Sequence, residues 1–209
     1  MTAYPVFFSV SRPAKLERGA LLWRVAILVM LSIAGVTLGV FSALAYLVLP
    51  VVAAMALGKK GPDRFLAEDA PRLARALRWI VSAYAYFMLL TDRLPSEDDS
   101  VRFEIEPGAW PEPDRRPSTA TALMRLLFSL PSAVFLALLG VISWVVWLVA
   151  AVMIFFTEDY PQPLYSFQCG VLRWQARFLG YHASLVEAYP PFSFDPGPFP
   201  TADQEPLAH

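Results

Sequence analysis

His182, Ser184 and Glu187 stand close together in the chain, and an imidazole, a hydroxyl and a carboxylate are the groups that nucleophilic catalysis requires. On a helix, however, the five-residue step from His182 to Glu187 turns the two side chains well apart, and an amphipathic helix commonly carries such residues. The same step gives no metal clamp, because the other histidine is His209. Cys169 is the single cysteine; it excludes an intramolecular disulfide and reads as a small apolar residue in a packed helix. No phosphate-cradling glycine loop or nucleophile elbow can be assembled. The residues therefore point to no catalytic group, no metal ligand and no cofactor, and to a chain that is not an enzyme.

Two other groups could recognise rather than react. Arg78 precedes Trp79, and Arg173 precedes Trp174. A guanidinium beside an indole suits a phospholipid headgroup at a helix end, or simply marks a membrane boundary. Gly35 and Gly39 lie four apart, and Gly140 repeats the second of them; small residues at that spacing let helices approach closely in lipid.

These residues belong to a repeat. Arg78, Trp79, Tyr86, Leu90, Asp92 and Pro95 correspond to Arg173, Trp174, Tyr181, Leu185, Glu187 and Pro190 at a constant offset of 95. Val6, Phe8 and Val10 correspond to Val101, Phe103 and Ile105 at the same offset, with the two-residue period of a strand. In the apolar segments between, the offset is 101, so that Arg24 meets Arg125 and Gly39 meets Gly140. Each half thus reads as a strand, a long apolar helix, a connector and a second helix bearing Arg-Trp. The organisation is residues 1–95 as the first repeat, 96–190 as the second, and 191–209 as a Pro-rich extended tail. Asp92 and Glu187 lie about 21 Å along a helix from Arg78 and Arg173, so their partners are sought at Arg24 and Arg125.

Composition places the repeat. The chain has 209 residues, 56% hydrophobic and 17% charged, with a mean hydropathy of +0.47, well outside the average soluble domain. Val25 to Gly58 contains no charged residue, and neither does Leu126 to Thr157. Each run exceeds the roughly 20 residues that cross a bilayer core. Pro50 and Pro131 lie inside these runs and predict kinked helices, or a shorter helix followed by a spanning one. The second helices carry more polar groups. If they return through the membrane, both strands emerge on one side and can pair, as a small β platform above four membrane helices. The alternative is two spanning helices with two amphipathic helices in the interface. A net charge of -1 predicts no general attraction to nucleic acid.

"LYSFQCGVLRWQARFLGYHASLVEAYPPFSF" resembles the signature of the bacterial membrane family DUF4389, in which a Phe, a Gly, an Arg-Trp pair and a Tyr lead to a Tyr-Pro-Pro-Phe ending. "ARALRWIVSAYAYFMLLTDRLP" resembles it in weaker form, which implies two tandem copies. The Gly-Arg-Tyr-Pro turn that the resemblance implies after the long helix stands here as "EDYP" at Glu158 and "KKGP" at Lys59. The fold expected is therefore an α-helical integral membrane protein of the bacterial inner membrane, multi-pass, with a tandem repeat of strand, long helix and second helix. The function expected is an accessory or structural subunit of a larger membrane complex. It would contact membrane lipids, other membrane subunits or further copies of itself, and no nucleic acid. The alternative is a lipid-binding or lipid-handling protein whose repeats enclose an apolar groove gated by Arg78 and Arg173.

Overall fold

A computed structural model describes residues 4–33, 38–95, 100–105 and 116–195; Gly35 lies outside them. The protein is mostly helical with one small sheet. Strand β1 (Val6–Val10) pairs antiparallel with β2 (Val101–Ile105), placing Phe8 opposite Phe103 and Val6 opposite Ile105. The 95-residue shift exchanges the strands and maps this register onto itself. The pair Val6–Ile105 goes to Val101–Val10, Phe7–Glu104 goes to Arg102–Ser9, and Phe8–Phe103 returns to itself.

Between the strands run α1 (Arg18–Ile33), α2 (Leu38–Arg64), a π-helical turn (Phe65–Asp69) and α3 (Ala70–Phe87). After β2 come α4 (Thr119–Phe128), α5 (Leu130–Thr157) and α6 (Gln162–His182). Ser118 caps α4, exchanging side-chain and backbone hydrogen bonds with Thr121. Pro131 falls in the first turn of α5, where its missing N–H leaves nothing unpaired, so the second apolar run is a short helix followed by a long one. The first run is likewise shared by a shorter helix, α1, and a longer one, α2, though the division does not fall at Pro50. Pro50 is carried inside α2, and the non-helical residue is Gly61, at φ 76° and ψ 169°. Gly61 precedes Pro62; proline disfavours helical backbone in the residue before it, and only glycine accepts this positive φ freely.

The elements stack in layers. The sheet packs on α3 and α6, these two helices pack on each other, and α2, α4 and α5 pack on α6. Arg173 meets β1 through the Phe8 carbonyl, whereas His182 meets α2 through the Tyr46 carbonyl. Nine residues at 100° each put these two side chains half a turn apart, on opposite faces of α6. That accounts for a helix as polar as α6 being buried almost all round. The sheet does not sit beyond the helix ends as a platform; it lies along the helices. β1 reaches from Ala188, whose carbonyl accepts from Tyr4, past Gly180 beside Val6, to Tyr165, which bonds the Val10 carbonyl.

Outward-facing residues differ sharply between layers. Leu22, Trp23 and Met30 of α1, Phe41, Leu44 and Leu47 of α2, Leu127 of α4, and Val141, Trp144 and Leu148 of α5 are all exposed. Two helical stretches, Gly39–Phe87 and Leu130–Thr157, are long and apolar enough to cross a membrane, and only 22% and 28% of their most apolar windows are buried. A core helix of a water-soluble domain would be mostly covered. Gly140 does not seat another helix of this chain: a Cβ added there would meet nothing within 4 Å, and Gly39 is exposed.

The ends of α3 and α6 are built alike. Leu89 and Ser184, 95 apart, both adopt a left-handed backbone, at φ 65° and 57°. Around them Leu90 N–H bonds the Ala85 carbonyl and Leu89 N–H the Tyr86 carbonyl, while Leu185 bonds Gly180 and Ser184 bonds Tyr181. This closes the last helical turn and usually uses glycine at the left-handed position. Ser184 bears that strain and also buries a hydroxyl that has no hydrogen-bond partner among the described residues. Ser184→Gly is predicted to stabilise the fold by about 1 kcal/mol and to raise the thermal midpoint in detergent by about 2–4 °C. Ser184→Val, which adds a branched side chain at positive φ, is predicted to lower it.

Candidate functional site

Two of the buried cations, Arg24 and Arg125, stand in similar settings, one in each half. Arg24 arises from an otherwise apolar stretch of α1 and is buried, so its guanidinium must find partners inside the protein. It donates to the Tyr86 carbonyl at 3.2 Å, forms an ion pair with Asp92, and lies 4.4 Å from the centroid of the Tyr86 ring. Asp92 in turn accepts from the Glu17 backbone N–H at 2.9 Å. One side chain thus ties α1, the end of α3 and the segment before α1 together.

Arg125 repeats the arrangement in α4. It is buried, donates to the carbonyls of Tyr181 and Val186, and lies 4.3 Å from the Tyr181 ring centroid. Burial lowers the Arg125 pKa, against the opposing influence of Tyr181, Tyr4 and Glu187. Arg24 and Arg125 lie 101 residues apart, and Tyr86 and Tyr181 95 apart. The link from Asp92 to Arg24 was legible as a candidate pairing. The ring beneath each guanidinium was not recognised, although the matched tyrosines carried the signal.

Beside Arg125 lies His182, fully buried. Its Nδ1 is 3.2 Å from the Tyr46 carbonyl, which can only accept, so Nδ1 carries the proton. Nε2 lies 2.8 Å from the Ser129 hydroxyl and accepts from it when the ring is neutral. The Tyr46 and Phe178 rings lie 4.7 and 4.4 Å from the imidazole. Burial pushes the His182 pKa down to about 4, and the nearby Arg125 charge adds to the effect. Ser184 and Glu187 do not form a relay with this histidine in the described contacts; His182 joins α2, α4 and α6.

The Arg-Trp pairs have different environments in the two halves. Arg173 and Trp174 are 4% and 1% exposed, so they do not face headgroups. The chain after α6 folds over them. Arg173 donates to the Phe194 carbonyl, and Phe192 and Phe194 pack edgewise on the indole with centroids at 5.0 and 6.4 Å. Arg78 is exposed and Trp79 is 56% exposed. Arg78 lines an open cleft of about 480 Å³ together with Arg102, Phe103 and Glu104. Three of those four residues are charged, so this is a polar recess on the sheet and not an apolar lipid groove.

Residues 119–193, from α4 through α6 to the covering segment, match the model of the family described as a domain of unknown function, DUF4389. The match supports the resemblance for that part of the chain and finds one copy. Neither a curated protein nor a solved structure matches.

Two predictions follow from the buried charges. Asp92→Ala leaves the Arg24 guanidinium without its carboxylate and is expected to cost roughly 3 kcal/mol; adding Arg24→Met should recover more than half of that in detergent melts. His182 is neutral when folded but titrates near 6.5 when unfolded. The unfolded chain therefore binds the extra proton, and stability present above pH 6.5 is lost as pH falls towards 4, by roughly 3 kcal/mol in total. His182→Asn should flatten the pH dependence of the thermal midpoint across that window.

Proposed function

We propose that this is a non-enzymatic membrane protein of the bacterial inner membrane, built from two DUF4389-like units, that serves as an accessory or structural subunit of a larger membrane assembly. One observation carries the membrane reading: α1, α2, α4 and α5 expose apolar side chains over most of their outward surface, far more than the few hundred Å² that a water-soluble monomer tolerates. By length alone α2 and α5 could each cross, which is the multi-pass arrangement.

The two-unit reading draws support from the strand register, the paired helix ends and the paired Arg–Tyr ties. The structural role draws support from where the buried cations are spent. Arg24, Arg125, Arg173 and Arg177 all donate to backbone carbonyls that join separate segments. Groups so engaged hold the fold and are not presented to a substrate.

The test is extraction. After an alkaline carbonate wash the protein should remain in the membrane pellet, and in mild detergent it should travel with a larger protein in fixed stoichiometry, read by native mass spectrometry. Recovery in the wash would overturn the membrane reading. Isolation alone with one defined lipid would overturn the accessory role in favour of lipid handling.

A further inference from the structure

Exposed charge collects at helix ends, as at Lys59 and Arg64 of α2 and Asp159 after α5, and also along the sheet layer. On the sheet, Arg102 and Glu104 face outward while Val101 and Phe103 are buried. Beside them Arg78 is exposed at the middle of α3. If α3 crossed a bilayer, these three charges would lie near its midplane, where charged side chains and open strand edges are costly.

The apolar helices cannot be turned independently of that layer. Near its two ends α2 is fastened to α3: Lys60 pairs with Asp69 at 2.8 Å, and Ser42 bonds Tyr84 at 2.5 Å. Along its own length α5 is fastened to α6, through Phe135 packed at a tilt on Trp174 and Ser143 bonded to Gln168. An orientation that carries α2 or α5 through the membrane therefore carries the charged sheet face with it.

We infer that the protein sits in a single leaflet, with the plane of its layers parallel to the membrane, the outer faces of α1, α2, α4 and α5 against acyl chains, and the sheet in water. The inference rests on the membrane reading above and decides between its orientations. The dimensions agree: one layer of helices is about 10–12 Å thick, and half of a bilayer core is about 15 Å. The occupant of the apolar face is the acyl region of one leaflet. Each of the four helices exposes apolar side chains, whereas a helical partner would cover a narrower groove.

The ends of α3 supply the test. Lys59 adjoins Lys60, which is fixed to Asp69 at the start of α3. Asp159 follows Glu158, whose carbonyl accepts from Leu16, and the neighbouring Glu17 N–H bonds Asp92 beyond the far end of α3. Single cysteines would be placed at Lys59→Cys, Glu104→Cys, Asp159→Cys and Val145→Cys in the full chain with Cys169→Ala. Sealed vesicles would then be treated with a membrane-impermeant maleimide before and after permeabilisation. Single-leaflet placement predicts that positions 59, 104 and 159 all react from the same side and that position 145 reacts from neither. Reaction of 59 and 159 from opposite sides overturns the inference while leaving membrane insertion intact. Reaction at 145, or failure of the protein to float with the vesicles, removes the membrane reading itself.

Discussion

A guanidinium taken out of water needs acceptors inside the protein, and that requirement organises both halves of this protein. Arg24 and Arg125 each stand in an apolar helix with no solvent to serve them. The acceptors come from the turn that ends the second helix of the same half: the Tyr86 carbonyl and Asp92 for one, the Tyr181 and Val186 carbonyls for the other. A turn supplies such acceptors because a carbonyl has two lone pairs and the turn's own N–H takes only one, from Leu89 at Tyr86 and from Ser184 at Tyr181. The left-handed residues Leu89 and Ser184 hold these turns closed, and the tyrosine faces beneath the cations add an attraction suited to desolvated charge. The cost of burying the cation is thus offset by groups the helix ends had to satisfy in any case.

With its ends fixed, α6 becomes the hub. Its sides are claimed by the sheet, α3, α5, α4 and α2, and the covering segment takes the face with Trp174. The polar residues that seemed unsuited to a membrane helix, Gln168, Arg173, Arg177 and His182, are all buried and hydrogen-bond to other segments. Lipid need never meet them. The exposed apolar faces belong to α1, α2, α4 and α5, the last three of which pack on the hub.

Much of this was written in matched residues. The strand pair was legible from its two-residue period, the helix break near Pro131 from the proline, and the Arg24 to Asp92 tie from the lack of any nearer partner. The sheet's position along the helices was not legible, because periodicity reports which face of a strand is buried and not which neighbour buries it. The break at Gly61 in place of Pro50 reflects a local rule, the restriction that Pro62 imposes on a preceding glycine. The family-like turn at "EDYP" was read as a departure. In the structure Glu158 holds a left-handed conformation, at φ 58°, which a glycine would adopt without strain.

The Arg-Trp pairs mark where the two halves part. In the second half Phe192 and Phe194 cover the indole and offer a carbonyl to Arg173. At the 95-residue shift those phenylalanines fall on Glu97 and Asp99, residues that cannot replace an aromatic cover. Trp79 is accordingly exposed where Trp174 is enclosed. The same two letters therefore act as core in one half and as surface in the other, and the difference arises from the segment that follows each helix rather than from the helix itself. Gly170 shows how tightly the covered version is built: a Cβ there would stand 2.8 Å from the Phe194 ring, so the second half needs a glycine at this position. The first half has Arg75 at the corresponding place, exposed on α3, where no such cover has to be accommodated.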